Sequence, residues 1–221
     1  MPRTEYEREL QEIQDELLGI GALVESCVNN ALDALKNRDA EASQRVIDSD
    51  DEIDRRQLEL EERCIDVVAT QQPMAGDLRT LLSVIQVASE LERMGDYAEG
   101  IAKISLLMGD ESLVKPLIDI PRMGDLATRM LRKSLTALVD RDNDAARQIG
   151  VDDDEVDALY EQVFGDLLAN MIEDPQIIRR ATYLIWVAHD LERIADRATN
   201  IAERVIYVTT GTLPKSVNAL S

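Results

Sequence analysis

The sequence predicts an all-α protein built as a tandem duplication of an antiparallel three-helix bundle, six long helices in all. Three observations carry this. The six prolines, at 2, 73, 116, 121, 175 and 214, leave long proline-free runs, and an interior proline costs a helix about 3 kcal/mol. Apolar residues recur at helical spacing within those runs. The second half of the chain also repeats the first.

Helices are expected at about 4–37, 40–71, 76–109, 120–140, 143–172 and 176–209. The first two are separated by the polar break Asn37-Arg38-Asp39. In the second, Val46, Ile53, Gln57, Leu60, Cys64 and Val67 form one narrow stripe. The third begins after Pro73 and shows the same rhythm in Val84, Ala88, Leu91, Gly95, Ala98 and Ala102. Pro116 and Pro121 mark the join before the fourth. Arg141-Asp142-Asn143 separates the fourth from the fifth, and Pro175 the fifth from the sixth. Breaks this short imply antiparallel neighbours.

The repeat is explicit. Arg79–Ala102 aligns with Arg179–Ala202 at an offset of 100, with eleven of 24 positions identical. Ala31–Asp54 aligns with Ser134–Asp157 at an offset of 103, with ten of 24 identical. A period of about 100 residues is too long for a solenoid. The division is therefore 1–115 for the first bundle, 116–213 for the second and 214–221 for a short tail. The change of offset removes three residues from the second copy, near Glu173-Asp174-Pro175.

Composition narrows the function. Only seven of 221 residues are aromatic, which disfavours sheets. Acids outnumber bases 44 to 24, for a net charge of −20. A phosphate backbone would be repelled, so nucleic acid is not an expected partner; cations and basic protein surfaces are. The opening residues MPRTEYEREL hold no apolar run, so no signal peptide is expected, and no stretch is long enough to span a bilayer. Cys27 and Cys64 form no CxxC pair and read as small apolar fillers in a reducing compartment.

The duplication also acts as an internal comparison. Exposed positions have drifted: Tyr97 corresponds to Arg197, and Lys103 to Glu203. Certain acids have not. Asp50 and Asp54 recur as Asp153 and Asp157, and Glu92 and Asp96 recur as Glu192 and Asp196. Each is a carboxylate pair at i, i+4, on one side of a helix. At 100° per residue, Glu92 and Asp96 lie about 80° and 120° from the apolar stripe, and Asp50 and Asp54 about 60° and 100° from theirs. Glu99 falls at about 60°. Both acid rows flank the seam where the second and third helices of a bundle meet. Facing like charges need something positive between them. Hard cations with oxygen ligands are candidates: Mg²⁺, Ca²⁺, Mn²⁺ or iron. Arg93 and Arg193 are the protein's own alternative, and a solvated acidic face is the plain one.

Catalytic patterns are missing. The single His189 cannot supply the paired Glu-x-x-His motifs of di-iron helices, and no HExxH, GxSxG, GxGxxG or Walker A string occurs, so no enzyme is expected.

The segments VIDSDDEID, QQPMAGDLR, ELERMGD and DLERIADRATNIAE resemble the signature stretches of the PhoU family, accessory proteins of phosphate-specific transport. The resemblance covers about residues 5–212. It implies a cytoplasmic regulator, often a homodimer. Such a regulator restrains the high-affinity phosphate ABC transporter through its ATPase subunit. It also relays phosphate sufficiency to a membrane sensor histidine kinase, touching the membrane only indirectly. The family's metal motif, which holds multinuclear iron or other cations in some members, falls on Asp50, Asp54, Glu92 and Asp96, and on Asp153, Asp157, Glu192 and Asp196. The family's asparagine after the last motif is Asn200, but the first copy has Gly100 there, and Glu99 corresponds to Thr199; the resemblance thus implies two sites that differ in ligands. A signalling adaptor, a metal-storage or redox protein and a bare helical scaffold are the competing classes.

Overall fold

A computed structural model describes residues 3–114 and 116–214; Lys115 and most of the expected tail, 215–221, lie outside the described residues. Six α-helices account for nearly all of it: α1 (Arg3–Asn37), α2 (Ala40–Gln71), α3 (Gly76–Met108), α4 (Asp119–Asp140), α5 (Asn143–Glu173) and α6 (Ile178–Thr210). No strand occurs among the described residues.

The turns repeat with the sequence. Arg38 and Arg141 both adopt a left-handed backbone (φ 56° and 54°) that ends the preceding helix. Asp39 and Asp142 then cap the next one. The Asp39 carboxylate accepts from the Ala42 N–H at 2.9 Å, and that of Asp142 from Asp144 and Ala145 at 2.9 and 3.0 Å. The three-residue difference is taken up by the helix ends at the turn between the last two helices of each bundle: in the repeat alignment α5 stops one position before α2 and α6 starts two positions after α3, while both connections are four residues long. Four residues, two of them at positive φ (Gln72 and Ala75), join α2 to α3. In the second copy Asp174 alone precedes a 3₁₀ turn (Pro175–Ile177) that runs into α6.

Every residue of the two predicted apolar stripes on α2 and α3 is buried. Cys27 and Cys64 are buried free thiols, and burial pushes Cys64 up to about 12. The halves share one continuous core. α3 packs along α6, and α1 crosses α4. Equivalent glycines make that crossing close. A Cβ on Gly21 would lie 2.2 Å from Leu135 Cδ1, and one on Gly124 2.1 Å from Leu32 Cδ1. Gly21 and Gly124 correspond in the repeat, as do Leu32 and Leu135. Each copy therefore seats its leucine in the other's glycine notch, a reciprocal contact with two-fold character.

Candidate metal centre

In the first bundle α2 and α3 bring the predicted acids together. Asp50, Asp96 and Glu99 place carboxylate oxygens within 4.8 Å of one another. Among the described residues they are the one such group of three possible ligands. Close helix packing permits it: a Cβ on Gly95 would lie 3.0 Å from both Asp50 Oδ1 and Ile53 Cδ1. Asp50 Oδ1 and Asp54 Oδ1 are buried with no hydrogen-bond partner among the described residues, an arrangement that ordinarily costs a fold free energy. Burial first, then the charges of Asp54, Glu99, Asp96 and Glu92, push Asp50 up to about 6. Burial also raises Glu92, helped by Asp96 and Asp54, and raises Asp96, helped by Asp54 and Glu99. The cations nearby relieve this only in part. Arg93 Nη1 turns away to Glu90 at 3.5 Å, and Lys103 Nζ pairs with Glu99 at 2.5 Å.

The same positions in the second bundle are arranged differently. Asp153 is buried, and Asp157 is pushed up by burial and by Glu192 and Asp196. Arg193 lies over the acids, with Nη2 3.0 Å from Glu192 and Nη1 3.0 Å from Asp196. Burial raises Asp196 while Arg193 pulls it down. His189 Nδ1 is 3.1 Å from Glu192 Oε2. The arginine expected as an alternative neutraliser thus fills that role in the second bundle and leaves it in the first.

Two residues play different parts from those the repeat suggested. Glu99 belongs with Asp50 and Asp96. Its spacing from Asp96 (i, i+3) and from Glu92 (i, i+7) was the available signal. Asn200 instead points across the bundle interface, where its Nδ2 donates to Glu90 Oε2 at 3.1 Å beside Arg197 Nη1 at 3.3 Å. The reason is packing: α6 lies between α3 and α5, and Asn200 stands on the side toward α3.

Oxygen-rich, base-poor and partly buried, the α2–α3 cluster fits a hard cation, which Asp50, Asp54, Glu92, Asp96 and Glu99 would hold. A model of the PhoU domain matches residues 17–105 and 120–205, once per bundle. The chain belongs to the PhoU family. A phosphate-specific transport system accessory protein PhoU homolog of Clostridium acetobutylicum is 37% identical over 212 residues, 96% of this chain and 97% of that protein. Its counterpart in Aquifex aeolicus is 38% identical over 208 residues, 94% of each. The crystal structure of PhoU from Pseudomonas aeruginosa superposes with a TM-score of 0.88 at 35% identity, covering 94% of this chain and all of that one. The phosphate transport system regulatory protein PhoU from Streptococcus pneumoniae does so with 0.88 at 32%, covering 95% and 99%. The all-α, duplicated fold is thus that of PhoU proteins, and the kinship spans both bundles. No described helix is long and apolar enough to cross a membrane.

Proposed function

We propose that this PhoU-family protein is a non-catalytic cytoplasmic regulator of phosphate uptake and phosphate-starvation signalling. It acts as a homodimer by protein contacts with the ATPase subunit of a phosphate ABC transporter and with a membrane sensor histidine kinase. Residues 1–115 and 116–213 are its two working units, each with a carboxylate site. The observation that carries the cation part is the convergence of five acids from α2 and α3, with two buried oxygens left without a donor. A multivalent cation there, whether iron, Mg²⁺, Mn²⁺ or Ca²⁺, would neutralise facing carboxylates and tie the two helices together. Asp50 and Asp54 present from α2, and Glu92, Asp96 and Glu99 from α3. In the second bundle Asp153, Asp157, Glu192 and Asp196 form the weaker site, because Arg193 already supplies positive charge.

Calorimetric titration of tag-free protein with Mg²⁺, Mn²⁺ and Fe²⁺ tests the reading. Replacing Glu92→Gln together with Asp96→Asn removes the first site's uptake and leaves the helices folded. Equal uptake by wild type and this variant shows the cluster to be a solvated acidic face. The partner assignment rests on kinship with phosphate-transport accessory proteins. Co-purification of the transporter ATPase or the kinase checks it.

A further inference from the structure

The second bundle carries a surface that its counterpart lacks. Phe164, Leu168 and Ile172 follow at four-residue spacing along one side of α5, exposed by 40%, 44% and 75%. Tyr160 continues the row; its ring centre lies 6.3 Å from that of Phe164 and 6.2 Å from that of His189 on α6. One turn before His189 on α6 stands Trp186, 49% exposed, with its ring 5.7 Å from that of Tyr183. Four of the chain's seven aromatic residues, Tyr160, Phe164, Tyr183 and Trp186, including its one Phe and one Trp, therefore cluster here on α5 and α6. Scattered exposed apolar residues need no explanation, but a contiguous row with aromatic anchors marks an interaction surface.

The repeat supplies the control. The positions that match Tyr160, Phe164, Ile172, Tyr183 and Trp186 are Gln57, Glu61, Ala69, Ser83 and Gln86; Leu168 alone keeps an aliphatic partner, Ile65. The fold does not need apolar side chains there, since the first bundle packs the same helices without them.

Charge selects the occupant. Between Gln148 and Ile178 the chain has nine acids and no base. Asp154 and Glu161 are exposed on the Phe164 side of α5, and Glu173 is exposed beside Ile172. An anionic bilayer would be repelled, and a second copy at this face would set the acidic border of α5 against itself. An apolar row with an acidic border suits a helix with one apolar face and basic flanks.

We infer that the α5–α6 face docks a cationic amphipathic helix of a partner protein: Phe164, Leu168, Ile172 and Trp186 take its apolar side, and Asp154, Glu161 and Glu173 its basic flank. This stands independently of the cation reading, because none of those residues belongs to a carboxylate site.

The full chain is titrated with a dye-labelled, 18-residue Leu/Lys amphipathic peptide, and separately with a Leu/Glu peptide of the same pattern. Trp186, the only tryptophan, reports directly. The expected result is a blue shift of its emission and saturating anisotropy with the Lys peptide alone. Phe164→Ser with Ile172→Ser leaves the charge unchanged and weakens binding at least tenfold; Ile172→Ser alone, at a mostly exposed position, gives a smaller loss in the same direction. Leu58→Ser with Ile65→Ser in the first bundle changes affinity less than twofold. Equal binding by the 164/172 variant would mean charge alone is read and would overturn the proposal. So would an unmoved Trp186 emission, a dimer that dissolves in the 164/172 variant, or capture by phosphatidylglycerol vesicles in place of the peptide.

Discussion

Replacing Asp50 with Asn should stabilise the cation-free protein at neutral and alkaline pH and do little in acid. The substitution keeps the side chain's shape against Gly95, where the fit is tight, and removes a charge that the site opposes. Burial and the neighbouring acids raise Asp50 from 3.8 to about 6. A carboxyl that is raised on folding binds more protons in the native state between those two values, so its share of stability is complete below about 4. That share is lost as pH climbs through about 6, and above it the penalty is full. At ~1.4 kcal/mol per pH unit the displacement corresponds to roughly 3 kcal/mol for a shielded group. Asp50 is only half-buried, and solvent screening reduces this to about 1–2 kcal/mol. Urea unfolding in chelator at pH 4, 6 and 8 measures it. Asp50→Asn should raise the midpoint at pH 8, raise it less at pH 6 and leave it nearly unchanged at pH 4. Comparing variant with wild type at each pH cancels the general self-repulsion of a chain with net charge −20. A gain that is the same at all three values, or a loss at pH 8, would refute the reasoning. Saturating Mn²⁺ should reverse the sign, since the wild type then gains more from the cation than the variant does.

Arg193→Gln uncovers Glu192 and Asp196, whose partly exposed ion pairs are worth about 0.2–1 kcal/mol each; cation affinity in the second bundle should rise by about two- to thirtyfold by calorimetry, with the first bundle unchanged. Gly124→Ala drives a Cβ into Leu32; overpacking of about 1–3 kcal/mol exceeds the ~1 kcal/mol gained in helix propensity, so the melting temperature should fall by a few degrees, and Gly21→Ala should behave alike.

The legible part of this protein was the part set by local periodicity. Helix limits came out within one or two residues, because Pro73, Pro175 and the Arg-Asp breaks punctuate strongly and the apolar stripes repeat every three or four residues. The offsets of 100 and 103 also located the α5–α6 turn as the place where the two copies part in length. The acid pairs at i, i+4 were readable for the same reason: two residues one turn apart share a side whatever the helix later packs against.

Which partner each charged or polar side chain takes was not readable. Arg93 and Arg193 are identical in the repeat, yet one reaches Glu90 and the other covers Glu192 and Asp196. Asn200 sits beside a metal motif in sequence and bonds across the bundle interface to Glu90. Glu99 joins Asp50 only because α2 and α3 approach closely at Gly95. The sequence by itself determined the six helices, their duplication and which acids line a seam, since those follow from a repeat of 3.6 residues along one chain. Which carboxylates keep a counter-charge and which are left facing one another was decided by tertiary structure alone. It depends on the register and spacing of helices that meet only after the chain has folded, and each arginine, with acids within three residues on either side of it on its own helix, settles on the partners that this packing leaves open.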